Sequence, residues 1–511
     1  MALGFENRRT FYDGYIRDNM IMGFGSENLT KEQSDRIYKV KNYWNFYEGF
    51  HWERVPTQEG IEMTINYCRV FVDKLVSFEL GSGFNMQLKS ELSEVQVNKD
   101  KQTLYDYLDC VWKDNNRYQF CTELGQVKSV TGEAWVQVSF VPPEDLDDPF
   151  GEYPNGRVKL SIMPTQVMFP SYNPHEKGKI DSLTIMYSYK HEFRRTYFGR
   201  LQEEWRVFKQ IWTKDTVTTI DGKSEPVTQD NKYGFIPFVQ INNLPVALRN
   251  TGKSDLEDII PVNIEYNLKQ SNVSEIIDYH SAPVTILYGA KIGNLEKGAN
   301  KMWGGLPKDA RVENLQMQGE LGAASTFIEN LKQCMCELSG IPEGTLGSNL
   351  AISNTSGVAL QYMNLPLIEK TKVKRAATEV GLEKLNKMIL AVSLMEGLIY
   401  KKADISLKDF LWNEVTIPST LPKDMLLELQ QIQQEVKLGL ESRVGAMKRL
   451  GKENIDELIK QIDEDKKVNP EFYGLINEQD NANINSGFTN GETPIEAVRK
   501  EMTGENGNQN H

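Results

Sequence analysis

Long hydrophobic runs are missing from this chain of 511 residues. The nearest approach, Met388 to Tyr400, is interrupted by Glu396 and Gly397 and does not reach the length needed to cross a bilayer. Met1 to Thr10 lacks the basic-then-apolar pattern of a secretory leader. These absences predict a soluble protein, cytoplasmic while it is made and without a membrane among its partners. Cysteine is also scarce: Cys68, Cys110, Cys121, Cys334 and Cys336 form no CxxC pair, and their odd number argues against a secreted disulfide framework. They read as reduced structural thiols. Cys334 and Cys336 stand two apart on a predicted helix, so they point to different faces and cannot share a metal comfortably.

Motifs for catalysis are equally sparse. His51, His175, His191, His280 and His511 are scattered, with no HExxH or other ligand spacing. Gly252-Lys253-Ser254 resembles the end of a phosphate-binding loop, but Ala247 stands where the required first glycine belongs. Asp221-Gly222-Lys223-Ser224 fails likewise at Val217, and no GxSxG elbow occurs. Gly81-Ser82-Gly83 lacks the third glycine of a dinucleotide fingerprint and follows a helical pattern, which makes it a helix terminator. Glu144-Asp145 and Asp147-Asp148 lie in a proline-rich loop and read as solvated. The chain is therefore expected to carry no catalytic residue, no metal and no cofactor, and to be no enzyme.

What is present is a globular composition, 40% apolar and 25% charged, in a chain long enough for more than one domain. Acids outnumber bases by 71 to 58, a net charge of −13, where a protein that grips nucleic acid is more often basic. If it meets DNA, it guides without gripping. Residues 1 to about 130 read as mainly helical. From Glu133 to about Val239, alternations such as Val136, Val138 and Phe140 against Trp135, Gln137 and Ser139 predict an antiparallel meander with one face inward. Ser254 to Ser281 reads as a helix capped by Ser254 with Glu257 reaching back, bent near Pro261, and rich in acids: Asp255, Glu257, Asp258, Glu265, Glu275 and Asp278.

Residues 282 to 318 interrupt this helical region with a short strand, Val284 to Tyr288, whose partner is Arg311 to Leu315. Leu321, Ala324, Phe327, Ile328, Leu331, Met335 and Leu338 then form one apolar helical stripe. Gly340 and Pro342 stop it. A small, polar, exposed loop follows between Gly344 and Gly357, and helical composition returns from Val358 towards Tyr400 with a kink at Pro366. Lys370, Lys372, Lys374 and Arg375 form a basic cluster on that second helix. Lys423 to Lys467 is again helical, broken at Leu438 to Arg443 with Ser442 as N-cap. Beyond Pro470 the composition predicts a disordered tail.

Several of these stretches, Glu337-Leu-Ser-Gly-Ile-Pro-Glu343, Asn354-Thr-Ser-Gly-Val-Ala-Leu360 and Leu365-Pro-Leu367, resemble the portal proteins of tailed bacteriophages. So do Asn45 to Gly49, Asn66-Tyr67, Val70 to Phe78, Met163 to Pro170 and Ser254 to Pro261, in order, so the resemblance runs from about residue 40 to 450. It implies an α+β portal-type fold with an α/β wing, a two-helix stem, a small α/β clip, a long kinked helix and a helical crown. The expected divisions are 1–253 wing, 254–281 first stem helix, 282–318 clip, 319–339 second stem helix, 340–415 tunnel loop and long helix, 416–470 crown and 471–511 tail.

The resemblance further implies a ring, expected to be a dodecamer, at the portal vertex of a virion, assembled in the host cytoplasm. Double-stranded DNA would pass through it without sequence readout. Implied partners are the terminase large subunit, a head-tail adaptor, and major capsid and scaffolding proteins. Thr345, Leu346, Ser348, Asn349, Leu350, Ile352, Ser353, Asn354, Thr355 and Ser356 would face the DNA, with Lys370, Lys374 and Arg375 touching phosphates. Glu265, Glu275 and Asp278 would line the channel, and Lys291, Lys297, Lys301, Trp303 and Lys308 would serve docking at the clip. The rival readings are a carboxylate-dependent hydrolase and a capsid structural protein without a channel.

Overall fold

The computed structural model describes residues 30–52, 62–89, 103–146, 148–194, 201–222, 224–281, 285–288, 311–314, 321–347, 362–401, 405–418, 425–452 and 455–468. Its first unit, up to Leu429, mixes helices and antiparallel sheets. Helix α1 (Lys31–Glu48) begins with a capping box between Thr30 and Gln33 and stops where Gly49 turns left-handed. Helix α2 (Tyr67–Leu80) ends at Gly81, as the glycine pair predicts. After strand β1 (Asn85–Leu88) come α3 (Leu104–Asp114), started by a Thr103–Asp106 capping box, and α4 (Arg117–Thr131). Gly125 lets α4 close on α2: a Cβ there would stand 2.8 Å from Val76.

Strands β2 (Glu133–Val141) and β3 (Arg157–Met163) pair antiparallel, and β2 pairs on its other side with β9 (Phe238–Asn242). Val136 and Val138 face the main core, as the alternation predicts. Trp135 departs from the one-sided expectation. It is fully buried on the opposite face against Val167, Met168, Leu183, Ile185 and Phe238, because a second sheet covers it. That sheet is five-stranded, in the order β4 (Met168–Tyr172), β5 (Ile180–Arg194), β6 (Leu201–Thr213), β7 (Thr216–Asp221) and β8 (Val227–Asp230), all antiparallel.

Helix α5 (Ile259–Ser281) starts later than its cap signal suggests. Ser254 instead accepts from the Leu256 amide at 3.1 Å and donates to the Val130 carbonyl at 2.6 Å, while Glu257 pairs with Lys39 at 2.7 Å. The long-range partners outcompete the local box. Pro261 falls in the first turn of α5, where its missing N–H leaves no bond unmade and the helix continues. Strands β10 (Thr285–Tyr288) and β11 (Arg311–Asn314) pair antiparallel, as read from sequence, and α6 (Leu321–Ser339) follows. Of its expected stripe, Ile328 and Met335 are buried but Phe327 and Leu338 are 45% and 44% exposed, so the stripe does not act as one face.

Helix α7 (Leu365–Met395) is continuous for 31 residues. Pro366 stands in its first turn rather than kinking it, and the interruption lies earlier, in the turn at Asn364. Its second half, from Leu382 to Val392, enters the main core beside Val239 and Ile241. The short helix α8 (Leu407–Phe410) and β12 (Asn413–Thr416) return the chain to β1. Helix α9 (Met425–Lys437) leads into the second unit, from Gln430 onwards, with α10 (Arg443–Arg449) and α11 (Ile455–Val468). Ser442 caps α10 as expected, accepting from the Gly445 amide at 3.0 Å, and Arg449 pairs with Glu435 at 2.6 Å.

Candidate functional site

Of the residues singled out from sequence, those described lie on α5, in the turn that follows α6 and on the first half of α7, so the site is built from that junction. Helices α5 and α6 pack side by side around a groove of about 330 Å³, lined by Tyr266, Val273 and Ile277 of α5 and by Ser325, Ile328 and Lys332 of α6. One side of α5 carries Asn263, Asn267 and Ser271 at four-residue steps, all buried. Their side chains hold an extended backbone: Asn263 Nδ2 donates to the Ile65 carbonyl at 3.0 Å, and Asn267 Oδ1 accepts from the Ile65 amide at 3.0 Å. Ser271 Oγ accepts from the Met63 amide at 3.0 Å. Asn267 Nδ2 also meets His51 Nδ1 at 2.7 Å, while His51 Nε2 lies 3.0 Å from the Phe46 carbonyl. That pattern fits a neutral ring, and burial lowers the His51 pKa below its ordinary 6.5.

Below these helices lies a buried charge cluster. Glu79 of α2, Lys128 of α4, Asp255 ahead of α5 and Lys374 of α7 are all inaccessible to solvent. Lys128 donates to Glu79 and, at 2.7 Å, to Thr378. Lys374 donates to Asp255 Oδ2 at 2.7 Å and to Ser129 at 2.9 Å, and lies 3.4 Å from Glu79. Lys370 reaches Asp255 Oδ1 at 3.1 Å. Burial pushes the Asp255 carboxyl up, but Lys374 and Lys370 together carry it well below the ordinary carboxylate range. Glu79 is likewise held ionised against burial by Lys128 and Lys374. Burial wins at Lys128, pushed down to about 8 despite Glu79 beside it.

The same geometry gives the basic cluster partners inside the subunit. Lys374 is committed to the interior, and Lys370 is occupied by Asp255 and by the Ser339 carbonyl at 3.0 Å. Arg375 is half-buried and donates at 2.5 Å to Phe78 O, one of the closing carbonyls of α2. Each of the three already has partners within the subunit. The reason is distant: Glu79 and Asp255 need cations, and a charge buried without a partner is far costlier than one in water.

Thr345 and Leu346 also have partners within the subunit. They belong to a 3₁₀ turn, Glu343–Leu346, in which Thr345 Oγ1 donates to Asn364 at 2.7 Å and Leu346 packs against the core around Phe71 and Ile341. Ser348, Asn349, Leu350, Ile352, Ser353, Asn354, Thr355 and Ser356 lie outside the described residues, as do Lys291, Lys297, Lys301, Trp303, Lys308 and the tail. Glu275 and Asp278 are exposed on α5, and Glu265 is half-buried and paired to Lys269 at 3.1 Å. Sequence reasoning misses Glu79 and Lys128, although a charge set inside an otherwise apolar helical pattern is an available signal.

Chemically the junction is structural. Its two buried carboxylates are neutralised by lysines and sealed from solvent, so neither can serve as a general acid or base for a bound substrate. Cys68 and Cys121 are inert in the same sense, burial pushing both thiols up to about 12. No group of three metal-ligating side chains occurs among the described residues, and no described helix is long and apolar enough to cross a membrane.

Among curated proteins, none matches this chain. Among solved structures, it is similar to a chain in the neck of a native GTA particle computed with C12 symmetry. That pair is 12% identical, with 75% of this chain and 89% of the other covered and a TM-score of 0.39. A chain in the neck of an empty GTA particle computed with C6 symmetry, also 12% identical with the same coverage, gives a TM-score of 0.44. The sequence profile described as "Phage portal protein, SPP1 Gp6-like" matches residues 29–470, which is most of the chain and shows that this protein belongs to that portal family.

Proposed function

We propose that this chain is the repeating subunit of a ring, expected to be a dodecamer, at the portal vertex of a phage capsid. Double-stranded DNA passes through the ring during packaging and leaves through it at ejection. The observation that carries this reading is the family match over residues 29–470. Portal proteins are structural, and the work of pumping belongs to a separate terminase ATPase.

In this assignment α5 and α6 are the stem, and the β10–β11 pair between them belongs to the clip. There the terminase large subunit and later a head-tail adaptor dock, with Lys291, Lys297, Lys301, Trp303 and Lys308 as contacts. Residues 348–356 are the DNA-facing loop and α7 the long helix behind it. Helices α9, α10 and α11 belong to the crown, towards the capsid interior. Glu265, Glu275 and Asp278 line the channel and repel phosphate, which lets a duplex slide. The subunit meets major capsid and scaffolding proteins while the shell assembles in the host cytoplasm.

Electron micrographs of the purified protein test the assignment directly: rings with a central hole are expected, and a uniform monomer at high concentration would count heavily against it. Deleting residues 348–356 is expected to leave ring assembly intact and stop packaging. Normal packaging by that variant removes the loop from the mechanism.

A further inference from the structure

We propose that Lys370 is a release latch. It ties the first turns of α7 to the roots of both α5 and α6, and it can let go while the charge cluster beneath it stays closed. This deepens the portal reading and rests on it only for its consequence, since the latch is a property of the isolated subunit.

The two oxygens of the buried Asp255 are divided between two lysines one helical turn apart. Oδ2 receives Lys374 at 2.7 Å and Asn243 Nδ2 at 3.0 Å. Oδ1 has no hydrogen-bond partner of good geometry, and the cation beside it is Lys370 at 3.1 Å. The same ammonium donates at 3.0 Å to the carbonyl of Ser339, the last residue of α6. A lysine at a helix C-terminus also meets the negative end of that helix. One side chain thus touches the entry to α5, the end of α6 and its own helix α7.

The two lysines differ in what surrounds them. The Lys374 side chain is sealed, whereas that of Lys370 is 19% exposed, so water can replace the outer partner and cannot reach the inner one. On the N-terminal side of Lys370, α7 is held by the buried Leu367 and by the Thr345–Asn364 bond of 2.7 Å. On the C-terminal side, Lys374, Thr378 and the apolar run from Leu382 onwards anchor it firmly. Opening therefore proceeds in order, outer pair first, as expected when local stability falls towards a solvent-facing edge. In the portal assignment, residues 339–347 and 362–373 flank the DNA-facing loop, so the latch sets how freely those two flanking segments shift.

Hydrogen exchange by mass spectrometry on the full-length protein, comparing wild type, Lys370→Met and Lys370→Arg, tests this. Lys370→Met is expected to accelerate exchange about tenfold or more in peptides spanning 339–347 and 362–373. Peptides from 378–395 and from β2 should keep their rates, and Lys370→Arg should restore most of the protection. Unchanged rates in the first two regions overturn the proposal. So does a uniform acceleration across the chain, or a Lys370→Met protein that fails to fold, because a latch must open without unfolding the core. The selective pattern in a protein that forms no ring would support the latch and count against the ring assignment.

Discussion

Lys374 sits on a helix whose neighbours are basic and polar, yet it is as buried as any leucine in the core. Replacing it by methionine keeps its bulk and leaves Asp255 and Glu79 short of a cation. The expected loss is roughly 3–5 kcal/mol, the usual result of breaking a buried pair from one side. Denaturant titration reads it, and a loss below about 1 kcal/mol would contradict a dry cluster. His51 gives a pH prediction. Its folded pKa is lowered from 6.5, so above that value folded and unfolded chains are both neutral and its contribution is complete. As pH falls below 6.5 the unfolded chain takes up the proton first, and stability drains until the folded pKa is passed. The Tm of the wild type should therefore decline more steeply from pH 6.5 downwards than that of His51→Asn. Parallel declines would show that the buried ring does not titrate as its contacts require.

At the scale of elements, two glycines decide how α4 meets the turn that carries Asp255. Gly132 has φ +90° and a Cβ there would stand 2.7 Å from the Gly252 carbonyl; a Cβ on Gly252 would stand 2.4 Å from the Gly132 carbonyl. Backbone faces backbone, with no flexible side chain to yield. Gly132→Ala is expected to cost at least about 2 kcal/mol, since left-handed strain adds to the clash. An unaltered melting curve would refute the close approach. This contact also explains Gly252-Lys253-Ser254, whose likeness to a phosphate loop comes from packing needs. Features set by neighbours in sequence were legible beforehand: the β2 alternation, the β10–β11 pairing, the Ser442 cap and the stop at Gly81. Those that failed depend on distant partners. Trp135 looked outward until a second sheet covered it, Ser254 looked like a cap until Val130 claimed it, and Lys374 looked solvated until Glu79 and Asp255 were placed beside it. The two helices of the candidate site were thus legible in outline, while the commitments of its charged side chains were not.

For the whole molecule, the acid excess becomes a statement about transport. If α5 lines a channel, Glu275→Lys with Asp278→Lys turns weak repulsion of phosphate into attraction at every subunit of the ring. Packaging should slow and become more sensitive to salt, because released counterions then favour the bound state. A packaging rate indifferent to the double substitution would place these acids away from the lumen. Asn263, Asn267 and Ser271 have a further consequence for any such movement. An apolar helix face can creep by fractions of an ångström, but three side chains engaged with the Met63, Ile65 and Cys68 backbone act as teeth on a rack. Their spacing of four residues corresponds to about 6 Å along the axis. Any slide of α5 along this segment must therefore break several directional hydrogen bonds together, so these three side chains fix the height of the helix against the backbone beside it.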